Sequence, residues 1–249
     1  MRLRLVIAYD GTGFCGWQSQ AGGGTVQDHI EAAFITLCGT RIPVHGAGRT
    51  DAGVHALAQC AHADVDPARK IDWLTALNAN LPREIRILRC TRAPASFHAR
   101  FSARGKVYIY RIWNAPILSP FEFHRAWHIP VPPLSLDTMR EAATSFIGKH
   151  DFKSFAANRG KPDEDTTRTI HSIAIRKQGP VISLRFQGDG FLYKMVRLMT
   201  GALVKTAQHR AAVSSIATHL SGASAKWTHA APAEGLYLAR VLYQPPPSR

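Results

Sequence analysis

The chain has 249 residues, of which 45% are hydrophobic, and carries a formal net charge of +14 at pH 7 from 31 Lys and Arg against 17 Asp and Glu. This length predicts two modest domains or one large one, and no apolar run approaches the ~20 residues of a membrane span, which excludes a transmembrane helix. The charge excess is too large for internal pairing to consume and indicates a polyanionic partner; nucleic acid is favoured over an anionic membrane surface, because the basic residues are scattered and interleaved with aromatics.

Two features of the sequence indicate the compartment. The four cysteines lie far apart and form no C-x-x-C pair, so neither a zinc cage nor a disulfide framework is expected, and a reducing cytoplasm fits best. Residues 1–10 alternate basic and apolar side chains and reach an acid before any signal-length apolar segment develops, which predicts a first strand and no targeting signal.

The first part of the chain alternates strand and helix patterns, as in an α+β fold. After the first strand and a run of glycines, Thr25 and Asp28 form a capping-box pattern that predicts the start of a helix. Further elements are predicted at 59–65 (strand), 72–77 (helix) and 85–90 (strand).

The second part opens with a strand at 106–113, whose two-residue alternation places Tyr108 and Tyr110 on one face. A later helix is expected to begin at Phe191 and to carry a basic flank with Lys194 and Arg197. The remaining predicted elements are a helix at 137–147 stopped by Gly148, strands at 170–176 and 181–187, a short helix at 214–220 and a strand at 236–243.

These elements predict two halves with a boundary near residue 105. Residues 1–105 form an amino-terminal half that carries the candidate acid discussed next, residues 106–244 form a carboxy-terminal half, and residues 245–249 form a flexible, proline-rich tail.

The most informative motif is G-R-T-D-A-G-V-H-A-L, which begins at Gly48. It puts one carboxylate, Asp51, between a cation, a hydroxyl and two glycines, and glycine lets a chain turn sharply and approach a bound ligand closely. This setting indicates a displayed working acid. From the stretch alone, an exposed turn pair of Arg49 and Asp51 is the alternative.

Three other patterns suggest sites and are disfavoured. Residues 11–16 satisfy G-x-G-x-x-G, but a dinucleotide turn must run straight into a helix, and the helix begins only near residue 25. Asp51, His55 and His62 lack a helical H-E-x-x-H arrangement and an evident third metal ligand. The acids at 163–165 predict a solvated loop, because no second acid shares the setting of Asp51.

Motifs along nearly the whole chain resemble those of the bacterial tRNA pseudouridine synthase A family. The element R-T-D-A-G-V-H is highly specific, and the order and spacing of the others add to it. In order they are Y-D-G from Tyr9, G-W-Q from Gly16, R-T-D-A-G-V-H from Arg49, N-A-N-L-P from Asn78, F-H-A-R-F-S-A from Phe97, Y-I-Y from Tyr108, M-V-R from Met195 and E-G-L-Y-L from Glu234.

The resemblance implies the pseudouridine synthase fold: two similar α+β halves of ferredoxin-like type, whose antiparallel sheets form a central cleft that holds Asp51. It also implies isomerisation of uridine to pseudouridine in the anticodon stem-loop of tRNA, at positions 38, 39 and 40, by a cytoplasmic homodimer. No metal, nucleotide or redox cofactor is expected, because cleaving the C1′–N1 bond, rotating the base and joining C5 to C1′ balances by itself.

The resemblance also implies roles for single residues. Asp51 would attack C1′ to give a sugar ester, or stabilise an oxocarbenium-like centre and take a 2′ proton to give a glycal. Arg197 is similar to the arginine that pairs with the catalytic Asp, and Tyr108 matches the tyrosine that stacks on the flipped uracil. Arg49 looks like the arginine that enters the stem or grips phosphate.

Charge alone adds further candidate phosphate contacts, which are Arg100, Arg104, Lys106 and Lys194. Two other functions stay open. One is a catalytically silent RNA-binding protein of the same fold, which has no need for a carboxylate that repels RNA. The other is a basic hydrolase that uses Asp51 with His55 and His62, and such an enzyme would lose activity with chelator or release free uracil.

Overall fold

A computed structural model describes residues 1–157 and 165–243. The predicted tail at 245–249 and the acids Asp163 and Glu164 lie outside the described residues. The chain divides into two compact units, the first made of Met1–Arg104 and the residues from Tyr237 onward, the second of Gly105–Leu236. The predicted functional halves, 1–105 and 106–244, stay a prediction.

The helices and strands alternate along the chain, as expected for a mixed α+β protein. In chain order they are β1 (Arg2–Tyr9), α1 (Val26–Cys38), β2 (His45–Gly46), β3 (His55–Asp64), α2 (Trp73–Ala79), β4 (Ile85–Ala93), β5 (Gly105–Trp113), β6 (Trp127–His128), α3 (Leu136–Thr144), β7 (Gly148–Asp151), β8 (Thr167–Gln178), β9 (Val181–Gly188), α4 (Met195–Ala207), α5 (Ser214–Leu220) and β10 (Leu236–Leu242).

Strand β1 organises the sheet of the first unit. It pairs antiparallel with β3 on one side and with β4 on the other, and β3 also pairs antiparallel with β2. The resulting order β4-β1-β3-β2, with α1 and α2 as the intervening helices, is the ferredoxin-like arrangement. Strand β10 pairs in parallel with β3, where Tyr237 and Leu238 lie opposite His55 and Ala56. The α+β class predicted for this half is confirmed.

Local sequence explains why the first elements form where they do. Strand β1 buries alternate residues from Leu3 to Tyr9, as the two-residue period of a strand with one covered face requires. Helix α1 has the predicted capping box, in which Thr25 accepts a hydrogen bond from the Asp28 amide while the Asp28 carboxylate accepts one from the Thr25 amide. The helix ends at Gly39 in the left-handed conformation, with φ of 73°.

The second unit repeats this arrangement. Strand β9 pairs antiparallel with β5 and with β8, just as β3 pairs with β1 and β2, and β8 also pairs antiparallel with β7. The shared order is strand, helix, strand, strand, helix, and here it reads β5, α3, β8, β9, α4. Helix α3 contacts both α4 and β8. The two units therefore have similar topology, which confirms the prediction of two similar halves.

Two predicted helix boundaries are wrong. Helix α4 begins at Met195, not at Phe191, because Lys194 has a φ of 59° and a left-handed residue cannot continue a right-handed helix. The stop for α3 is not Gly148, because the helix already ends at Thr144 and Gly148, with φ of 109°, begins β7.

The strand predictions are also wrong in places: one strand starts earlier than predicted, and three short strands were not predicted. Strand β3 begins at His55, inside the motif, whereas the pattern predicts a start at residue 59. Both faces of β3 are largely buried, so its run of small residues does not alternate in the way that an exposed strand does. Strands β2, β6 and β7 are two to four residues long and were not predicted. None of the helices in the described ranges combines the length and apolar character needed to cross a bilayer.

Candidate active site

The residues predicted for the site are distributed over both units. The first unit carries Arg49, Asp51 and Arg100, and the second carries Lys106, Tyr108, Lys194 and Arg197.

Asp51 lies in the loop between β2 and β3 and is half-buried. Its backbone carbonyl accepts a hydrogen bond from the Val54 amide at 3.1 Å, which closes a four-residue turn. Gly53 stands at the third position of this turn with a φ of 76°, a conformation that favours glycine. The tight turn predicted beside Asp51 is therefore confirmed at Gly53, and His55, the next residue after Val54, is already part of the sheet.

Arg49 is exposed and is held by a chain of side-chain amides. Its Nε donates to Gln18 Oε1 at 3.2 Å, and Gln18 Nε2 in turn donates to Gln27 Oε1 at 2.7 Å. Gln27 lies in the first turn of α1 and donates to Glu31 one turn later. This chain ties Arg49 to a helix of the core while leaving its guanidinium at the surface.

The two histidines near Asp51 accept hydrogen bonds from backbone amides. His55 Nδ1 accepts a hydrogen bond from the Gly11 amide at 3.0 Å, and His62 Nδ1 accepts one from the Ala99 amide at 3.2 Å. Burial, followed by the positive charge of neighbouring side chains, lowers the pKa of His62 to about 4. Within residues 1–157 and 165–243, no group of three or more His, Cys, Asp or Glu side chains is arranged to hold a metal ion.

Tyr108 lies on β5, opposite Phe186 of β9, and is buried. Its ring meets the ring of Phe191 edge to face, with centroids 5.1 Å apart and planes at 81°. This geometry is a favourable one for two aromatic rings and fixes the orientation of Tyr108. Phe191 was predicted only as the first residue of a helix, and nothing in that pattern indicated its contact with Tyr108.

Arg197 lies in the first turn of α4 and is clamped to a neighbouring segment. Its Nε donates to the Ala231 carbonyl at 2.7 Å, and the Ala231 amide donates to the Arg197 carbonyl at 2.9 Å. The approach is close because residue 201 is glycine, and a Cβ there would collide with the His229 carbonyl. Burial raises the pKa of Tyr110 well above its ordinary value, and the positive charge of Arg197 opposes that rise.

Two of the remaining basic residues accompany aromatic rings. The Arg100 guanidinium lies 5.7 Å from the ring centroid of Phe101, which is 76% exposed, and Lys194 Nζ lies 5.3 Å from the ring of Tyr193. Cations beside accessible rings are typical of single-stranded nucleic-acid contacts. Sequence reasoning named the cations; it quoted Phe101 only as part of the F-H-A-R-F-S-A motif and did not single out Tyr193. Lys106 lies on β5 opposite Gly188.

Comparison with known proteins gives consistent matches. A family model described as tRNA pseudouridine synthase matches residues 5–102 and 142–244, ranges that include Asp51 and Arg197 but not Tyr108. The chain is 46% identical to the tRNA pseudouridine synthase A of Akkermansia muciniphila, over 97% of this chain and 95% of that protein. It is 43% identical to the tRNA pseudouridine synthase A of Solidesulfovibrio magneticus, over 98% of this chain and 92% of that protein. It is 41% identical to the tRNA pseudouridine synthase A of Geobacillus kaustophilus, over 98% of this chain and 95% of that protein.

The family match therefore spans both units, and these relatives align with nearly the full length of the sequence. On this evidence the chain belongs to the tRNA pseudouridine synthase family.

Proposed function

We propose that this protein isomerises uridine to pseudouridine in the anticodon stem-loop of tRNA, at positions 38, 39 and 40, and that Asp51 is its nucleophile. The observation that carries the proposal is the setting of Asp51, a half-buried carboxylate on a glycine turn immediately before a strand of the sheet. Family membership makes the protein an isomerase that acts on tRNA, and it leaves no support for the silent RNA-binding alternative.

The chemistry needs one carboxylate and no external electron source. In the first route, an Asp51 oxygen bonds to ribose C1′ as the C1′–N1 bond breaks, and uracil leaves with the electron pair. After the base rotates, C5 bonds to C1′ and the ester bond breaks, while the C5 proton is lost and N1 gains one. In the second route, Asp51 takes the proton from C2′ as the C1′–N1 bond breaks, which gives a glycal, and the proton returns to C2′ when C5 bonds to C1′. The bond changes at the base are the same in both routes.

The target base must leave its stack before C1′ can be reached, at a cost of a few kcal/mol. We assign Tyr108 to receive it, because stacking of a base on an aromatic ring contributes ~1–3 kcal/mol and the edge contact with Phe191 already orients this ring. Arg197 is assigned as the cation that keeps the catalytic carboxylate ionised, an assignment that rests on the M-V-R motif.

The phosphate-binding residues are assigned from their positive charge. They are Arg49, Arg100, Lys106 and Lys194, and the two arginines among them are exposed. Each contact with a phosphate releases a condensed counterion, so the affinity for tRNA falls as the salt concentration rises. Alanine variants of Arg49 and Arg100 should each reduce the slope of log affinity against log salt concentration by about one.

We further infer that the enzyme acts as a homodimer in the cytoplasm. Four apolar side chains between residues 117 and 131 of the second unit are 61% to 82% exposed, namely Ile117, Phe121, Phe123 and Val131, and such concentrations mark protein interfaces. The free thiols of all four cysteines fit a reducing compartment. Sedimentation should give a dimer that Phe121→Asp dissociates and Leu88→Asp does not; a wild-type monomer at micromolar concentration would contradict the dimer.

The function is tested by incubating the purified protein with unmodified tRNA and a chelator, without added cofactor, and mapping pseudouridine by chemical labelling. Wild type should modify the foot of the anticodon stem. Asp51→Asn should abolish modification while tRNA affinity stays within about twofold, because amide and carboxylate have nearly the same shape. Asp137→Asn is a matched control, since that side chain is 98% exposed on α3.

Other outcomes identify other functions. Binding of tRNA without isomerisation or uracil release would reinstate the silent binding protein. Release of free uracil that the chelator inhibits would support the hydrolase. Retained isomerisation by Asp51→Asn would remove Asp51 from the chemistry.

A further inference from the structure

The glycine-rich stretch at 11–16 packs against the loop that carries Asp51. A Cβ on Gly11 would collide with the Val54 carbonyl. Gly16 has a φ of 87°, and a Cβ there would lie 2.6 Å from the Thr50 carbonyl oxygen and 3.1 Å from the Asp51 carbonyl carbon. Gly13 between them has nothing within 4 Å of such an atom. Two of the three glycines are therefore needed for close backbone contact on either side of Asp51.

Hydrogen bonds join the same two segments before and after Asp51. The Trp17 amide donates to the Thr50 carbonyl at 3.1 Å, and the Gly11 amide donates to His55 Nδ1 at 3.0 Å. The side chains of Tyr9 and Thr50, both buried, share a hydroxyl–hydroxyl bond of 2.8 Å in which either group can donate. The loop is thus held at residue 50 and at residue 55, with Asp51 between the two points.

The supporting segment is itself fixed to the core. The amides of Val26 and Gln27, which open helix α1 and have no partner within it, donate to the carbonyls of Gly16 and Trp17 at 3.0 Å each. The Trp17 side chain is buried and packs so closely on Gly46 that a Cβ there would collide with the indole. These contacts also use the helix amides that a dinucleotide pyrophosphate would need.

We propose that residues Tyr9–Trp17, here called the brace, are a positioning element that holds the Asp51 carboxylate in its reactive orientation. The hydrogen bond between Tyr9 and Thr50 is the contact of the brace on which the reaction rate depends most. The proposal rests on the proposed function of Asp51. A catalytic group must be held within about 0.5 Å of its productive geometry, and a group on a loop depends more on contacts from neighbouring segments than one on a helix or strand does. Displacement of a reacting group by ~1 Å lowers a rate by up to about 100-fold.

The test compares Thr50→Val, Thr50→Ser and Tyr9→Phe with wild type, using single-turnover rates at saturating tRNA, KM and the melting temperature. Valine keeps the shape of Thr50 and removes its hydroxyl, so we expect the rate to fall about 10- to 100-fold while KM changes less than about twofold. Serine restores the hydroxyl and should recover most of the rate. Tyr9→Phe should also lower the rate, and the losses of the two single variants should not add in full in the double variant, because both remove the bond between these two hydroxyls.

Glycine variants supply a second comparison. Gly16→Ala should lower the rate strongly, whereas Gly22→Ala should not, since Gly16 lies against the loop while Gly22 is outside the brace and has nothing within 4 Å of its Cβ position. Tyr243→Phe is the matched hydroxyl control, because its hydroxyl donates to the Ala99 carbonyl at the same 2.8 Å but outside the loop. If Gly16→Ala fails to fold, the Thr50 and Tyr9 variants decide the question.

Failure of the brace and failure of the proposed function are distinguishable. If wild type isomerises tRNA and Asp51→Asn does not, but Thr50→Val and Tyr9→Phe keep the full rate, the brace is overturned and the catalytic assignment stands. A lower melting temperature with an unchanged rate, or a higher KM alone, also overturns it, since those are the results of a structural or a tRNA-binding role. If wild type is inactive or Asp51→Asn remains active, the proposed function is the part that fails.

Discussion

The two units carry their candidate residues in different ways. In the first, Asp51 lies on a loop, and the contacts that fix it come from a segment about forty residues earlier in the chain. In the second, Tyr108 lies inside strand β5 and Arg197 in the first turn of α4, so regular hydrogen bonding positions both backbones. A residue on a regular element needs support only for its side chain, whereas a residue on a loop needs support for its backbone as well.

This comparison predicts different consequences of damage. Isosteric changes around Asp51, such as Asp51→Asn, should lower the rate with little effect on stability, because they leave the buried packing of Thr50 and Val54 intact. Changes at the packed face of helix α4 in the second unit should lower stability, because they push apart segments that are in close contact.

The largest effect that would sharpen the comparison is expected at Tyr108. Tyr108→Ala removes the stacking surface and should lower kcat/KM by about tenfold to 100-fold, the equivalent of ~1–3 kcal/mol. Tyr108→Phe keeps the ring and its edge contact with Phe191, and should stay within about threefold of wild type. Steady-state kinetics on unmodified tRNA measures both. A collapse of the phenylalanine variant would instead implicate the hydroxyl in proton transfer at C5.

A matched control for Tyr108 lies two residues along the same strand. Tyr110→Phe removes a buried hydroxyl that donates to the Pro232 carbonyl at 2.8 Å, so it should cost about 1 kcal/mol of unfolding free energy and leave kcat unchanged.

Gly201→Ala is expected to affect stability. The added methyl group would collide with the His229 carbonyl and should lower the unfolding free energy by about 1–3 kcal/mol, as overpacking does. Urea unfolding measures this, and kcat per folded molecule should stay within about threefold. Gly22→Ala is the control, since nothing lies within 4 Å of its Cβ. A Gly201→Ala protein with unchanged stability and a low rate would contradict the comparison, because a change in helix α4 would then act in the same way as a change beside the Asp51 loop.

His62 makes the stability of the first unit depend on pH. Its folded pKa of about 4 lies below the ordinary value of 6.5, so the unfolded chain takes up a proton first as the pH falls. The stabilisation is present above pH 6.5 and is lost between pH 6.5 and pH 4, with a slope below the ~1.4 kcal/mol per pH unit that one full proton would give. Urea unfolding at pH 7 and pH 5 should show this loss.

The histidine variant isolates that contribution. His62→Gln should make the stability loss between pH 7 and pH 5 smaller, whereas His171→Gln, a change at an exposed position of β8, should leave it as in wild type. Equal losses in wild type and His62→Gln would show that other groups produce the dependence.

The smallest effect is expected at the helix caps. Thr25→Ala removes the hydroxyl that accepts from the Asp28 amide and donates to the Asp28 carboxylate, while the bond from the amide of residue 25 to that carboxylate remains, and it should cost about 1 kcal/mol in unfolding free energy. Ser135→Ala at α3 should cost less, because its bond to the Thr138 amide is longer, at 3.4 Å. Thermal unfolding of the two variants compares the caps of the two units; a larger loss at Ser135 would contradict the ranking.

Local signals made much of the fold predictable. The capping box at Thr25, the alternating strand β5 and the short helix α5 all depend on residues within one element, and they form where the pattern predicts. The start of α4 was not predictable, because a lysine at position 194 does not indicate the left-handed backbone that it adopts. Strand β3 was placed too late, because burial on both faces removes the alternation that marks a strand.

The site was predictable as a motif but not as an arrangement. Glycines on either side of Asp51 predicted a sharp turn, which Gly53 confirms, whereas the role of Asp51 as a working acid stays a prediction. The brace could not be derived from spacing, since its contacts join residues 41 and 44 positions apart. One signal was available: the glycines at 11 and 16 stand in a phosphate-binding pattern with no helix behind it, so they required some other close neighbour.

The return of the chain to the first unit at Tyr237 sets an order of events during synthesis. His55, the first residue of β3 after the Asp51 turn, stacks on Tyr237 with ring centroids 4.6 Å apart, and β3 pairs with β10 at the same place. A ribosome must therefore translate the whole of the second unit before this contact can form. A nascent chain halted at residue 200 contains Asp51 and the brace but lacks the strand that completes their sheet, so the enzyme assembles its carboxylate loop fully only near the end of translation.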